Sequence, residues 1–573
     1  MNVALHNLDA ATAGRLFGAA TRHASTLLER IPGARLLWLN RRVMREDPAW
    51  TSTGADEAAY RRHLLSACAW QVAREPGGTD VRVGFADRYG GEGIGHNGGS
   101  ARAVVLGGYH VKGVGQTPLL GRGTNREHAT GGAYLEECVR ESIFAEIAAA
   151  EFPHGAIPTL AIIDTGMTQA WATEHGPKVE RRCLLVRPNF VRPAHFERAA
   201  DFRSGQVKEG VRDAQRVRAT VHEAAQVWAD GALGVHYRQF WARWSEQLAY
   251  GFAHRLPHFA QTTSNVCLGG QLLDFGAMAA VPSWARVDAV LGGAPAGSEF
   301  ESLSRCLLGQ LPQMARHLDP TLGQPDIQAD LLGAVTRTYA HTLRVQMLRV
   351  LGLTRDVATR ALASNDGIAL SHELLRLVRH CQRERFATYA GTPAIDASWE
   401  AAAFWHDAPP VPMDKLRKLV DGALEDSAAG DAIGLARARS SLRARGRSAL
   451  YRESIRRSIY DALERVPHDD ASLASAVEAL IRREVVTNRR DGAHEMAGCR
   501  PLGFAQGGDV AFSLHEHPAT GRRWAVPEWP VAPDGAGARA AASLEIRHLG
   551  EGELAFVDPA QPCVEATLAL HPA

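Results

Sequence analysis

Glycine dominates one short stretch of this chain, Y-G-G-E-G-I-G-H-N-G-G-S from Tyr89 to Ser100, and it constrains the fold more than any other feature. A helix cannot persist through such a run, because glycine loses the most backbone freedom when ordered. Apolar runs follow it at Ala103 to Leu106 and Tyr109 to Lys112, so the local reading is strand, loop, strand. Backbone without Cβ can wrap closely around phosphates. The G-x-G-x-x-G at 93 to 98 is weak evidence alone, since a plain flexible loop has the same composition.

At 573 residues the chain exceeds one compact core, and two to four structural units are expected. Residues 1–78 read as a helical leader, with apolar residues at three and four spacing over Ala11 to Leu28 and Glu57 to Val72. Residues 79–200 hold the glycine-rich loop, the strand runs Leu160 to Ile163 and Cys183 to Val186, and an amphipathic helix over 133–151. Residues 201–480 read as helical, with Trp228, Trp241 and Trp244 on buried faces and a loop at Asp407 to Pro412. Residues 481–573 form a small β-rich appendage with strands near Val510–Leu514, Arg523–Val526, Ala542–His548 and Leu554–Val557. The fold class is therefore α+β. Lys plus Arg number 64 against 63 Asp plus Glu, which leaves no field to favour nucleic acid or an anionic membrane. No apolar run reaches the roughly 18 residues of a membrane span, and Met1 to Arg22 lacks the pattern of a signal peptide, so a cytoplasmic protein is expected. The eight cysteines form no C-x-x-C pair, which argues for buried reduced thiols over a zinc or disulfide framework.

Holding a nucleoside triphosphate requires backbone N–H groups near the phosphates, a fixed cation and oxygen ligands for Mg2+. Lys112, one of only five lysines, ends the strand run in Y-H-V-K-G-V-G-Q-T-P and resembles the strand lysine that contacts the phosphates in kinases. A surface lysine is the bland alternative. Glu136, Glu137, Glu141, Glu146 and Glu151 on the 133–151 helix are candidate partners, most of them ordinary solvated charges. Asn265 and Asp274 lie nine apart across a short hairpin ending in D-F-G, a spacing that can bring an amide oxygen and a carboxylate to the same cations.

The runs K-G-V-G-Q-T-P, A-T-G-G-A-Y-L-E-E-C-V-R-E-S-I, I-P-T-L-A, L-L-V-R-P-N-F-V-R-P-A-H-F-E and the S-N to D-F-G segment together resemble the SelO (YdiU) pseudokinase family over residues 80 to 360. The glycine-rich and K-G-V-G-Q-T-P-L-L-G-R-G-T versions are similar to its divergent branch named for MchC, associated with microcin and peptide modification. The resemblance implies a protein-kinase-like two-lobed fold: a β-rich N-lobe with a helix of the αC type, then a helical C-lobe. It also implies ATP bound in a flipped orientation with Mg2+ or Mn2+, and AMP transfer to a protein or peptide substrate. Carried over by residue, Lys112 is the phosphate-binding lysine and Glu141 its ion-pair partner. Gly99, Arg102, Thr130, Gly131, Arg187 and Arg192 fall on nucleotide-binding positions, and Asn265 and Asp274 on metal-binding ones.

Ser264 is the consequential departure, because it occupies the position of the family's proton-accepting Asp, and serine cannot act as a general base near neutral pH. The substrate can dispense with a base, His254 or His258 can replace it, or the chain can bind ATP without turnover. A carboxylate acceptor is already ionised, which favours activation of a peptide carboxylate. The second function class is a non-catalytic ATP-binding scaffold that recruits a partner modification enzyme. Ordinary γ-phosphoryl transfer is disfavoured by the Arg187/Arg192 pair and the lack of an H-R-D-like loop.

Overall fold

A computed structural model of the chain describes residues 23–73, 80–91, 101–173, 176–203, 211–227, 232–289, 294–383, 385–387, 432–444, 446–466, 469–492, 496, 498–507, 510–528, 544–549, 553–558 and 561–569. It has a mixed α+β architecture. Nine strands form one antiparallel sheet: β1 (His23–Arg30), β2 (Arg35–Leu39), β3 (Trp70–Val72), β4 (Val81–Asp87), β5 (Ala103–Leu106), β6 (Tyr109–Lys112), β7 (Ala133–Tyr134), β8 (Ala161–Thr173) and β9 (Gly176–Pro188). Their order is β2-β8-β9-β6-β5-β4-β1-β3, with β7 also paired to β9. The helices that position the site are α1 (Glu57–Cys68), α2 (Leu135–Glu151), α3 (Ala232–Ala253), α4 (Glu299–His317), α5 (Pro325–Val350), α6 (Arg452–Glu464) and α7 (Asp470–Asn488).

Strand alternation decides where Lys112 points. On β6, Val111 lies opposite Val186 and Lys112 opposite Leu185 of β9. Val111, Leu184 and Val186 face a core closed by Tyr60, Leu64 and Cys68 of α1. Because successive side chains alternate between faces, Lys112 emerges on the other side with Cys183 and Leu185, under α2. Helix α1 is started by Asp56, whose carboxylate accepts from the backbone N–H groups of Ala58 and Ala59. Helix α2 has no side-chain cap, but Glu136 and Glu137 in its first turn suit the positive end of the helix dipole. It stops at Phe152, whose backbone is extended as the residue before Pro153 must be.

Helix α2 is buried on almost every side. The sheet covers one flank, while Ile455 and Ile459 of α6 and Val477, Leu480 and Ile481 of α7 cover another. In the helical part, Phe240, Trp241 and Trp244 of α3 pack with Leu303, Leu307 and Leu311 of α4, and α5 lies along α3. Trp241 and Trp244 are buried as expected; Trp228 is outside the described residues. A parallel pair, β10 (Arg286–Asp288) and β11 (Arg385–Ala387), lies within this part. The C-terminal sheet is an antiparallel meander of β12 (Arg500–Gly507), β13 (Val510–Glu516), β14 (Arg523–Glu528), β15 (Leu544–Leu549), β16 (Glu553–Asp558) and β17 (Gln561–Ala569). Among the described residues no helix is long and apolar enough to cross a membrane.

The helical leader needs correction. Residues 1–22, the loop at Asp407 to Pro412 and Gly99 fall outside the described residues. His23–Arg30 and Trp70–Val72 are strands, and β1 pairs with both β3 and β4. The reason is a period of two: Thr26 and Leu28 are buried, whereas Leu27 is 40% exposed. The neighbouring leucines imitate a helical stripe, but only one faces the core. Thus β1 and β3 belong to the same sheet as β4, and position 78 is no boundary between separate units.

Candidate functional site

The face of β6 that carries Lys112 meets α2 at its charged turns. Lys112 is 5% exposed. Its ammonium donates to Glu141, lies 2.9 Å from Glu137 Oε1 and 3.5 Å from Asp274 Oδ1. Glu137 and Glu141 are one helical turn apart, so both reach the same cation. Glu141 is fully buried and also accepts from Arg187 on β9. Arg102, just before β5, forks onto Glu137 with its two terminal nitrogens at 2.6 and 3.0 Å and donates to the carbonyl of Gly132 at 2.9 Å. Arg192 is 3% exposed, donates to the carbonyl of Ser264, and stacks its guanidinium 4.3 Å from the Tyr89 ring centroid.

Asn265 and Asp274 lie on the two arms of a hairpin, Asn265 opposite the residue before Asp274. The amide of Leu273 donates to the Asn265 carbonyl at 3.1 Å, and Val266 bridges Leu272. Asp274 has φ 60°, a left-handed backbone uncommon outside glycine but tolerated by Asp. The following Gly276 carbonyl is gripped by Arg140 of α2 at 2.7 Å and Arg452 of α6 at 2.9 Å. Thus α2 and α6 both hold the turn that presents Asp274.

Electrostatics agree with this layout. Burial works to raise the pKa of Asp274, but Lys112, Arg187, Arg102 and Arg192 outweigh it and hold the carboxyl well below its ordinary value. Glu137 is likewise depressed, burial being overcome by Arg102 and Lys112. Lys112 is pushed below the usual lysine value by burial, with Arg102 adding to the effect. Four cations, Arg102, Lys112, Arg187 and Arg192, therefore share this space with three carboxylates, Glu137, Glu141 and Asp274.

The other expected residues divide. Thr130 uses its hydroxyl locally, 3.0 Å from the Glu127 carbonyl and 2.8 Å from the Tyr134 hydroxyl, and no described contact joins it to the charged cluster. Gly131 packs directly on the turn after Lys112. Its φ is 73°, and a Cβ there would lie 2.1 Å from the carbonyl carbon of Gly115, backbone against backbone. Gly131→Ala is expected to cost at least about 2 kcal/mol, measured as a lower denaturant midpoint with unchanged slope. Ser264 is buried and its hydroxyl lies 2.7 Å from that of Thr262. His254 stacks on Tyr250 with ring centroids 4.1 Å apart, pairs with Gln346 at 3.1 Å, and is driven down to about 3 by burial. His258 Nε2 is 3.0 Å from the Leu273 carbonyl, a contact that assigns this nitrogen as donor and the ring to supporting the hairpin.

What the cluster leaves unmet is a test of what it could hold. Arg192 Nε, Asn189 Nδ2 and both ring nitrogens of His110 are buried without a hydrogen-bond partner among the described residues. Burial, aided by Arg192, drives His110 well below its ordinary pKa, so its ring is neutral. Unpartnered buried donors are costly, and an anionic ligand rich in acceptors would suit Arg192 Nε, Asn189 Nδ2 and the single N–H of the neutral His110 ring. For a divalent cation, the Asn265 amide nitrogen donates to the Ala260 carbonyl at 3.1 Å, which leaves its oxygen as the atom that could act as a ligand. Among the described residues no group of three or more His, Cys, Asp or Glu side chains is disposed to hold a metal. Two oxygens suit Mg2+, which commonly takes one or two protein ligands and completes its shell with phosphate oxygens and water. The residues present therefore fit a magnesium nucleotide.

Sequence reasoning named Glu137 only as one of five candidate partners of Lys112, and it passed over Arg140 and Arg452. The first could have been chosen from its i, i+4 spacing to Glu141; the last, 176 residues beyond Gly276 of the D-F-G turn, has no local signal. No protein-family model matches the chain, and no curated protein matches it.

Proposed function

We propose that this chain is an ATP- and Mg2+-dependent nucleotidyl transferase of the SelO-like pseudokinase type, with a kinase-like two-lobed fold, that moves AMP onto a protein or peptide. The observation that carries the reading is the buried constellation of Lys112 between Glu137 and Glu141, with Asp274 3.5 Å away. In kinase-like sites a strand lysine paired with a helical glutamate contacts nucleotide phosphates while the D-F-G aspartate holds metal. Lys112, Arg187 and Arg192 supply fixed positive charge where negative charge builds on the phosphates, in a water-poor space where such charges act strongly. Guanidinium forks suit phosphate oxygens particularly well. Mg2+ held by Asn265 and Asp274 would supply Lewis-acid stabilisation of the phosphoryl oxygens. Arg140 and Arg452 hold the Gly276 carbonyl and keep the Asp274 turn in place, and α6 and α7 keep α2 from rotating its glutamates away.

Incubation with ATP labelled at either the α or the γ phosphate decides the reaction. Label from the α phosphate alone on protein supports AMP transfer; γ label on protein would replace it with ordinary phosphoryl transfer. One observation favours a second reading, a non-catalytic ATP-binding scaffold: Ser264 stands beside Asn265 where a carboxylate base is expected, and its hydroxyl is engaged with Thr262. Nucleotide binding without turnover is the result that scaffold would give.

A further inference from the structure

Resting on the nucleotide-binding part of the proposed function, we propose that His110, Asn189 and Arg192 seat a phosphate of ATP, and that His110 takes up a proton as that phosphate arrives. The ring then donates from both nitrogens. His110 precedes Lys112 by two residues on β6, so the two side chains stand on the same face of the sheet, about 7 Å apart along the strand. A triphosphate chain can touch both. His110, Asn189 and Arg192 are each at most 3% exposed, so none of them is an ordinary surface group.

One aromatic ring organises the seat. The Phe190 centroid lies 4.8 Å from that of His110 and 4.9 Å from the Arg192 guanidinium, so imidazole and guanidinium share it as a wall. Phe190 packs in turn on Leu273, the residue before Asp274, which joins the seat to the hairpin proposed for Mg2+. Asn189 and Arg192 are each anchored at one end. Asn189 Oδ1 accepts from the Phe190 amide at 2.9 Å, which leaves Nδ2 to donate; a terminal nitrogen of Arg192 donates to the Ser264 carbonyl, which leaves Nε. Neither of these donors, nor either ring nitrogen of His110, has a hydrogen-bond partner among the described residues.

A neutral imidazole has one N–H and one bare nitrogen, whereas an ionised phosphate offers acceptors only. It would satisfy the first and press its oxygens against the lone pair of the second. A proton drawn from solvent onto the bare nitrogen turns that conflict into a second, charge-assisted hydrogen bond. The groups facing His110 explain why the proton is absent beforehand. Arg187 lies opposite on β9, Lys112 follows on β6, and Arg192 flanks the same Phe190 ring; with burial they keep the imidazole neutral against the opposing charge of Asp87 on β4. From α2, Glu141 is engaged by Lys112 and Arg187. A phosphate brings negative charge among these three cations and reverses the balance.

Calorimetry counts the proton, using the full chain, Mg2+ and the non-hydrolysable α,β-methylene analogue of ATP at about pH 8, where the phosphate chain is ionised. Comparing Tris with HEPES, whose heats of ionisation differ, should show about one proton taken up per analogue bound. His110→Gln keeps a donor and an acceptor but cannot carry charge, so the count should fall to about zero and affinity should weaken about tenfold or more. Asn189→Ala leaves the ring in place and should weaken binding about threefold at an unchanged count. Adenosine, which has no phosphate, should bring no proton. Analogue binding by the wild-type chain without proton uptake overturns the inference and leaves AMP transfer to be decided by the α label. A wild-type count in His110→Gln, a proton brought by adenosine, or full affinity in Asn189→Ala overturns it in the same way. A wild-type chain with no affinity for the analogue overturns this inference together with the function on which it rests.

Discussion

Glu141→Ala should lose about 3–5 kcal/mol of stability, the scale expected when one partner of a buried ion pair is removed. Glu141 is fully buried and accepts from both Lys112 and Arg187. Without it, four cations face only Glu137 and Asp274, and Arg187 keeps no carboxylate in direct contact among the described residues. Glu137→Ala should cost less, because Lys112 would keep Glu141 and the Arg102 it releases is already partly exposed. The sign of the pH dependence provides an independent check. Lys112 is already held below its unfolded pKa, chiefly by burial, and loss of Glu141 pushes it lower. A lysine with a depressed folded pKa binds fewer protons folded than unfolded, so its penalty is full at low pH and fades as pH rises through the folded pKa. The Glu141→Ala deficit should therefore shrink from neutral toward alkaline pH in urea titrations. A deficit that is small at neutral pH, or that grows on the alkaline side, would show that Glu141 does not neutralise this cluster.

The site and the fold were legible in the sequence to different depths. Local order carried the strands around the glycine-rich run, the helix expected at 133–151 and found at Leu135–Glu151 behind the short strand Ala133–Tyr134, and the hairpin from Asn265 to Asp274, because each has a periodic or turn signal of its own. It could not choose among five glutamates on one helix. That choice depends on the register of β6 against β9, which turns Lys112 toward the Glu137/Glu141 edge and leaves Glu136 to pair with Arg140 at 2.6 Å. β1 was hidden because Leu27 and Leu28 resemble a helical stripe until burial separates them. The part least legible was the C-terminal support of α2. Arg447 forks onto Glu151 at 2.9 and 3.2 Å across 296 residues of sequence, and the Arg490 amide donates to the same carboxylate at 2.9 Å. No local pattern announces a contact at that separation, although it fixes the end of the helix that carries Glu137 and Glu141.

Asp274→Asn should reduce AMP transfer about 100- to 1,000-fold, the range seen when one preorganised electrostatic group is removed from an active site. Asparagine is the informative replacement because residue 274 has φ 60°, a conformation Asn adopts far more readily than alanine does. Backbone strain is thus nearly unchanged and charge is the variable. Stability should barely move: the Asp274 side chain is 38% exposed, and Lys112 keeps both Glu137 and Glu141. Binding should separate into two parts. The affinity that Mg2+ adds to ATP should largely vanish, since a neutral amide replaces the one carboxylate paired with Asn265, whereas metal-independent binding to Lys112, Arg187 and Arg192 should persist or strengthen as a negative charge leaves the cationic cluster. Ser264→Ala is the matched control on the same hairpin, and because serine is no base it should leave transfer nearly intact. If Asp274→Asn kept both its magnesium-dependent affinity and its transfer rate, the carboxylate would be a charge partner of Lys112 and nothing more.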